Sequence, residues 1–299
     1  MTSIIQMNPI FDCIVIGAGI AGTTASIYLK RAGIKILLLE KKAIGGQIIN
    51  TSEIENYPTI LSTDGFTFSN HLKKQLEHLN IQIQYEEVID IKNNEIKEVI
   101  TNKNTYFTKN IIIATGRIPR KLQIEHADQL LGKGISYCAT CDGFFYKNKD
   151  VAVLGGGNSS LEAAIYLSRL CHQVTIINRS DKLRADQELI QEVNQLENVK
   201  IIYNENIQSL ESREGYLSKI ILNNEELKVE GLFVYIGLVP TLPFISHLNL
   251  NLEDGYIKVD SKMKTNLVGI YACGDIIKKD LYQIITASSE GAIAASNIK

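Results

Sequence analysis

Cys138 and Cys141 are separated by two residues and followed at once by Asp142. A Cys-X-X-Cys pair can close a small disulfide and reopen it, because neighbouring thiols lower one another's pKa and one then serves as the attacking thiolate. Shortly after it comes Gly155-Gly156-Gly157, and near the start of the chain stands Gly17-Ala18-Gly19-Ile20-Ala21-Gly22. Glycine-rich loops at strand–helix junctions hold pyrophosphates on backbone amides. Together these residues imply a chain that moves electrons from a nucleotide cofactor to a dithiol. A zinc knuckle would need four soft ligands, and no second Cys-X-X-Cys or histidine pair accompanies this one. An inert thiol pair is the other alternative.

The elements that must position these groups can be read from apolar runs. Phe11 to Ile16 predicts a buried strand, Thr23 to Ala32 a helix stopped by Gly33, and Ile34 to Glu40 a second strand ending in an acid. That is a βαβ unit on a parallel sheet. The grammar returns with a strand at Asp150 to Leu154, a helix at Leu161 to Leu170 and a strand at Val174 to Ile177. Gly17 to Glu40 and Gly155 to Asn178 both span 23 positions, so two nucleotide-binding folds of matching geometry are expected. Ile111 to Ile113 predicts a short strand before Ala114, Thr115 and Gly116. Phe233 to Gly237 repeats that pattern, and Ile270 to Asp275 a strand running into Gly-Asp. Pro119 and the stretch Pro240 to Pro243 suit linkers, and Ile284 to Asn297 suits a last helix.

Composition narrows the class. A net charge of −2 gives no support to nucleic-acid or polybasic membrane binding. Met1 to Ile10 shows no leader pattern, and no apolar run reaches about 18 residues, so neither secretion nor a membrane span is expected and the cytoplasm is the default. Five cysteines are too few and too scattered for a secreted framework. Cys13, Cys171 and Cys273 read as small buried hydrophobes.

In the first loop, three glycines allow a tight turn, close approach to a pyrophosphate and close helix–strand packing, and Glu40 is placed to accept from a ribose 2′-hydroxyl. The loop alone does not distinguish FAD from NAD. Along nearly its whole length the chain resembles the low-molecular-weight thioredoxin reductases. The resemblance is carried by Gly17–Gly22, Gly45-Gly46-Gln47-Ile48 with Glu55-Asn56-Tyr57-Pro58, Ala114-Thr115-Gly116, Ser136-Tyr-Cys138-Ala-Thr-Cys141-Asp142-Gly-Phe-Phe, Tyr235-Ile-Gly237, and Gly274-Asp275 with Gln283. It implies an α/β protein of two Rossmann-like, three-layer domains, the second inserted into the first. The split FAD-binding domain would be 1–116 and 247–299, and the insert carrying the cysteines 117–246. Besides the loop residues Gly17 to Gly22, FAD contacts would come from Glu40, Lys41, Gly46, Gln47, Asn56 and Val88. Ala114, Thr115, Gly116, Gly274, Asp275, Gln283 and Ile284 complete the set. The family is usually homodimeric.

The resemblance further implies that Cys141 faces the flavin and Cys138 attacks the substrate disulfide of thioredoxin. Asp142 would protonate the leaving thiolate, a general-acid role calling for a raised carboxyl pKa, with a turn or helix cap as the plainer alternative. At the second loop the pattern weakens. Gly155, Gly157, Asn158 and Ser159 are in place, but Ser160 stands where the family has alanine. The family's His-Arg-Arg-x-x-x-Arg cluster for the NADPH 2′-phosphate reads Asn178-Arg179-Ser180-Asp181-Lys182-Leu183-Arg184, keeping Arg179 and Arg184 only. An Arg-Gln pair reads Tyr282-Gln283. Each lost arginine forgoes a charge-assisted contact of about 1.5–3 kcal/mol, while NADH would want an acid where Asn178 is neutral. Reduced ferredoxin is then favoured as electron donor, docking on lysines such as Lys147 with Lys149 or Lys278 with Lys279; NADP(H) at a weakened site is the alternative.

Other classes fit less well. A ferredoxin–NADP reductase lacks the cysteine pair. A hydroperoxide-reductase flavoprotein carries an added N-terminal region, for which ten residues before the first strand leave no room. A non-enzymatic flavin redox sensor is the reading from outside the enzymes.

Overall fold

The computed structural model describes residues 9–51, 53–240 and 242–299. Most of the leader reading at Met1 to Ile10, and Thr241 of the expected linker, lie outside the described residues. The chain divides into two compact units. One comprises the described residues up to Ile118 together with Val239–Lys299, and the other is Pro119–Leu238. The return to the first unit thus comes earlier than 247, because Leu242, Phe244 and Ile245 pack into that unit's core.

In the first unit, β1 (Ile10–Ile16) leads through the glycine loop to α1 (Ile20–Arg31) and β2 (Ile36–Glu40). β1 and β2 pair in parallel from Cys13–Ile36 to Ile16–Leu39. Every residue of β2 is buried, as expected of a strand covered on both faces. α2 (Gly65–His78) is capped by Asp64, whose carboxylate accepts from the Thr67 amide, and β3 (Ile83–Tyr85) extends the sheet beside β2. β4 (Val88–Lys92) and β5 (Lys97–Thr101) form an antiparallel meander with β6 (Thr105–Ile113).

β6 has three partners within one sheet. Its first half pairs with β5, its second half with the strand Ile270–Ala272, and its other edge with β1. The apolar Ile111 to Ile113 is only the end of this longer strand. The last helix, Ile284–Ser296, lies against α1 so closely that a Cβ on Gly291 would collide with the Ala21 carbonyl oxygen.

The second unit has a five-stranded parallel sheet in the order Val199–Tyr203, Gln173–Asn178, Asp150–Leu154, Gly231–Val234, Ile135–Ser136. A three-stranded antiparallel sheet built on Ile207–Arg213 and Tyr216–Leu222 accompanies it. α3 (Ala139–Asp142) holds the cysteine motif and α4 (Asn158–Ser168) follows the second glycine loop. Both loop helices begin three residues before the sequence suggests, because the last loop residues already form the first turn.

Cys13, Cys171 and Cys273 are buried free thiols. Burial pushes all three upward, Cys171 to about 11, so they stay protonated and inert at neutral pH. No helix among the described residues is long and apolar enough to cross a membrane.

Candidate active site: a disulfide turn and two glycine loops

Cys138 and Cys141 form a disulfide across the first turn of α3. Cys138 caps that turn: its Sγ accepts from the Cys141 amide at 3.2 Å, and its carbonyl accepts from the Asp142 amide. An amide aimed at Sγ favours the thiolate once the disulfide opens. The flanks hold this turn rigidly. Tyr235, half-buried and with its phenol pushed above the ordinary range by that desolvation, accepts from the Ala139 amide at 2.9 Å.

Ser136 had no assigned role in the sequence and has two here. Its hydroxyl accepts from the Cys138 amide at 3.0 Å and donates to Asp142 Oδ2 at 2.6 Å. It therefore ties the acid to the turn that carries the cysteines. Beyond Asp142, Phe144 and Phe145 are 69% and 71% exposed, an apolar pair beside the dithiol.

The first glycine loop is shaped by what its glycines exclude. Gly17 has φ 103°, and a Cβ there would strike the Ala114 carbonyl oxygen; one on Gly22 would strike the Gly17 carbonyl oxygen. Gly19 faces open space within 4 Å and caps α1, whose first turn carries neither a side-chain cap nor an acid. Free amides at an open glycine are what a pyrophosphate needs. Glu40 is only 9% exposed, and its two oxygens accept from the Ala18 and Lys42 amides at 2.7 Å each. It braces the loop, while each oxygen keeps a lone pair for a ribose hydroxyl. The Glu86 amide bonds the Glu40 carbonyl, which brings Val88 close to that strand end; Lys41 is exposed and pairs weakly with Glu87.

The remaining expected FAD residues also gather in this unit. The Gly45 amide bonds the Ala18 carbonyl, and Gly46 lies against Gly19. Asn56 Nδ2 donates to Gln283 Oε1 at 3.2 Å, and Gln283 caps the last helix, which starts at Ile284. The Gly274 amide donates to Glu290 Oε2 at 2.8 Å; burial raises the Glu290 carboxyl above its ordinary range. Asp275 is held between Arg117 Nη2 at 2.9 Å and Lys279 Nζ at 3.3 Å. Gln47 donates to the Arg117 carbonyl. Thr115 Oγ1 and Arg117 Nε are buried without a partner. Open amides at Gly19 and orphaned donors at 115 and 117 suit a polar, phosphate-bearing group such as FAD. Arg117 carried no motif and was not expected here.

In the second loop a Cβ on Gly155 would meet the Tyr235 carbonyl oxygen, and one on Gly156 would meet Asn178 Oδ1. Gly157 is open and caps α4 without a side-chain cap or an acid in the first turn. Ser160 fits the alanine position: it is buried, and its hydroxyl donates to the Gly157 carbonyl at 2.6 Å.

Asn178 is also buried, with Nδ2 donating to the Ser180 and Lys182 carbonyls at 3.0 and 2.9 Å. The Arg184 amide bonds the Gly156 carbonyl at 2.6 Å, and Asn158 exchanges two hydrogen bonds with Asp186. Residues 178–186 are thus folded against the glycine loop, and Arg179, Lys182 and Arg184 stay exposed with no acidic partner among the described residues. Ser159 is exposed in the first turn of α4. Lys278 is paired with Asp254, and Lys279 is half-buried and paired with Glu290, so this lysine pair is no free basic face.

A sequence model described as pyridine nucleotide-disulphide oxidoreductase matches residues 11–291. The thioredoxin reductase of Listeria innocua is 40% identical over 297 residues, covering 96% of this chain and 92% of that protein. The crystal structure of Lactococcus lactis thioredoxin reductase in its FR conformation aligns with a TM-score of 0.92 at 39% identity, over 96% of this chain and 97% of that one. A ferredoxin-flavin thioredoxin reductase from Clostridium acetobutylicum is also similar, at 28% identity and a TM-score of 0.54 over 97% of this chain and 96% of its own.

Proposed function

Because this chain belongs to the pyridine nucleotide-disulphide oxidoreductase family, among its FAD-dependent thioredoxin reductases, we propose a finer course for its electrons: they enter from NADPH at the second glycine loop and leave through Cys138 to thioredoxin. One observation carries the choice of donor. Arg179, Lys182 and Arg184 are exposed, lack acidic partners among the described residues, and are presented beside the open Gly157 by a loop that Asn178 holds in place. Three unpaired cations beside free helix amides suit a nucleotide carrying an added 2′-phosphate. The departures that favoured ferredoxin have structural uses. Ser160 bonds its own helix turn, and Asn178 and Ser180 fold the loop. Lys278 and Lys279 are engaged elsewhere.

Bound FAD supplies the reducing equivalents that open the Cys138–Cys141 disulfide. The Cys138 thiolate, favoured by the Cys141 amide, then attacks the thioredoxin disulfide. A bond forms between Cys138 Sγ and one thioredoxin sulfur, and the other sulfur departs, taking a proton from Asp142. Cys141 then gives its proton to the ionised Asp142 and attacks Cys138 Sγ, restoring the internal disulfide while the second thioredoxin sulfur departs and takes that proton. Ser136 keeps the Asp142 carboxyl at the turn through both transfers. Phe144 and Phe145 offer thioredoxin an apolar landing beside the dithiol.

Anaerobic stopped-flow bleaching of the flavin, run separately with NADPH, NADH and reduced ferredoxin, tests the donor. Rapid bleaching at micromolar NADPH is expected, and bleaching by ferredoxin alone overturns the proposal. Cys138→Ser should keep its flavin and lose thioredoxin turnover by at least about 1000-fold, since Cys141 left alone has no partner with which to form the internal disulfide or to resolve a mixed one.

A further inference from the structure

Arg117 lies just past Gly116, with its side chain only 15% exposed. Its guanidinium stacks on the Tyr282 ring, 3.9 Å from the centroid, and Nη2 pairs with Asp275 at 2.9 Å. Its backbone carbonyl accepts from Gln47, and Tyr282 directly precedes Gln283. Of the residues expected at FAD, Asp275 and Gln47 therefore touch it, Gly116 adjoins it, and Gln283 adjoins its ring partner. Yet its Nε is buried with no acceptor, and so is Thr115 Oγ1 two positions earlier. A buried donor held in place by two specific partners and left unpaired is costly to the protein alone. An acceptor brought by a ligand removes that cost.

We propose that Arg117 is a cofactor-binding residue of this chain: its Nε–H donates to an oxygen of FAD, with Asp275 and Tyr282 fixing the plane of the guanidinium. Position 282 is where the resembling enzymes place the arginine of their Arg-Gln pair. Here the ring at 282 is instead the platform for an arginine that opens the short strand Arg117–Pro119. This inference rests on FAD binding alone and is independent of which donor reduces the enzyme.

The test is FAD release from the purified holoenzyme after dilution, followed by the rise of flavin fluorescence. Arg117→Ala and Arg117→Lys should both release FAD about tenfold faster than wild type, because lysine keeps the charge beside Asp275 but has no planar fork. Adding Tyr282→Arg to Arg117→Ala should bring the rate back to within about threefold of wild type, as coupled sites do. Wild-type release by Arg117→Lys would mean that the residue is an ion-pair strut, and overturns the proposal. Failure of Tyr282→Arg to recover the loss overturns it as well.

Discussion

The two glycine loops are built on one backbone plan and diverge at the residue that closes the second strand. Gly17 and Gly155 are each wedged against a carbonyl, while Gly19 and Gly157 are each open and cap a helix without a side-chain cap. In the first loop, Glu40 points into the turn, one oxygen accepting from the Ala18 amide and the other from the Lys42 amide just past its own strand. In the second, Asn178 spends its amide on the carbonyls of its own following residues, and the cations of that segment face outward. The same fold thus makes an acid-braced site in one place and a cation-rimmed site in the other. What a βαβ unit accepts beyond the pyrophosphate is decided by where the strand-terminal side chain points, as much as by its type.

The comparison is sharpest at the helix's first turn, where Gly22 and Ser160 are equivalent. A Cβ on Gly22 meets a backbone carbonyl that cannot move without dismantling the turn. Gly22→Ala should therefore cost about 3 kcal/mol and yield protein with little bound flavin, read by thermal melting and by the visible spectrum. Full flavin content in this variant would break the equivalence of the loops. Next in size comes Asn178→Asp. On sequence alone an acid there should invite NADH, but in the fold it would face the Ser180 and Lys182 carbonyls. A loss of about 2 kcal/mol in stability is expected, with no gain of NADH-dependent flavin bleaching. A switch to NADH would show that the side chain can turn outward.

How much of this was legible depends on how local the chemistry is. The cysteine motif and both glycine loops declare themselves because their residues act within a few positions of one another. Arg117 was invisible because its partners are at 47, 275 and 282, and no pattern in the sequence joins them. β6 was half seen. Its apolar end reads as a strand, but its first half, Thr105 to Thr108, earns its conformation only by pairing with β5. The helix starts came late because Ile20 to Gly22 and Asn158 to Ser160 look like loop, although they already form the first helical turn. Ser160, Asn178 and Ser180 read as losses from a motif. Each also makes hydrogen bonds within its own loop, which a count of matching motif residues does not reveal.

Arg184→Ala should raise the NADPH concentration needed for half-maximal bleaching about tenfold and leave NADH unchanged; equal effects on both nucleotides would remove the 2′-phosphate from the account. The smallest effect is expected at Ser160→Ala, and its smallness is informative. The Ser160 hydroxyl donates to the Gly157 carbonyl, but that oxygen also accepts from the Ser160 and Leu161 amides at 3.0 and 3.2 Å. Removing the hydroxyl therefore leaves no buried acceptor unpaired, and the Cβ that the turn tolerates remains. Stability should move by no more than about 0.5 kcal/mol, and NADPH bleaching should be unchanged. A large loss would mean that the hydroxyl does more than replace a methyl-sized filler, and that the second loop is built on a different plan from its relatives. A null result, set beside a damaged Gly22→Ala, would show that the first loop's third glycine is required by backbone contact while the second loop has room for a side chain at the same turn.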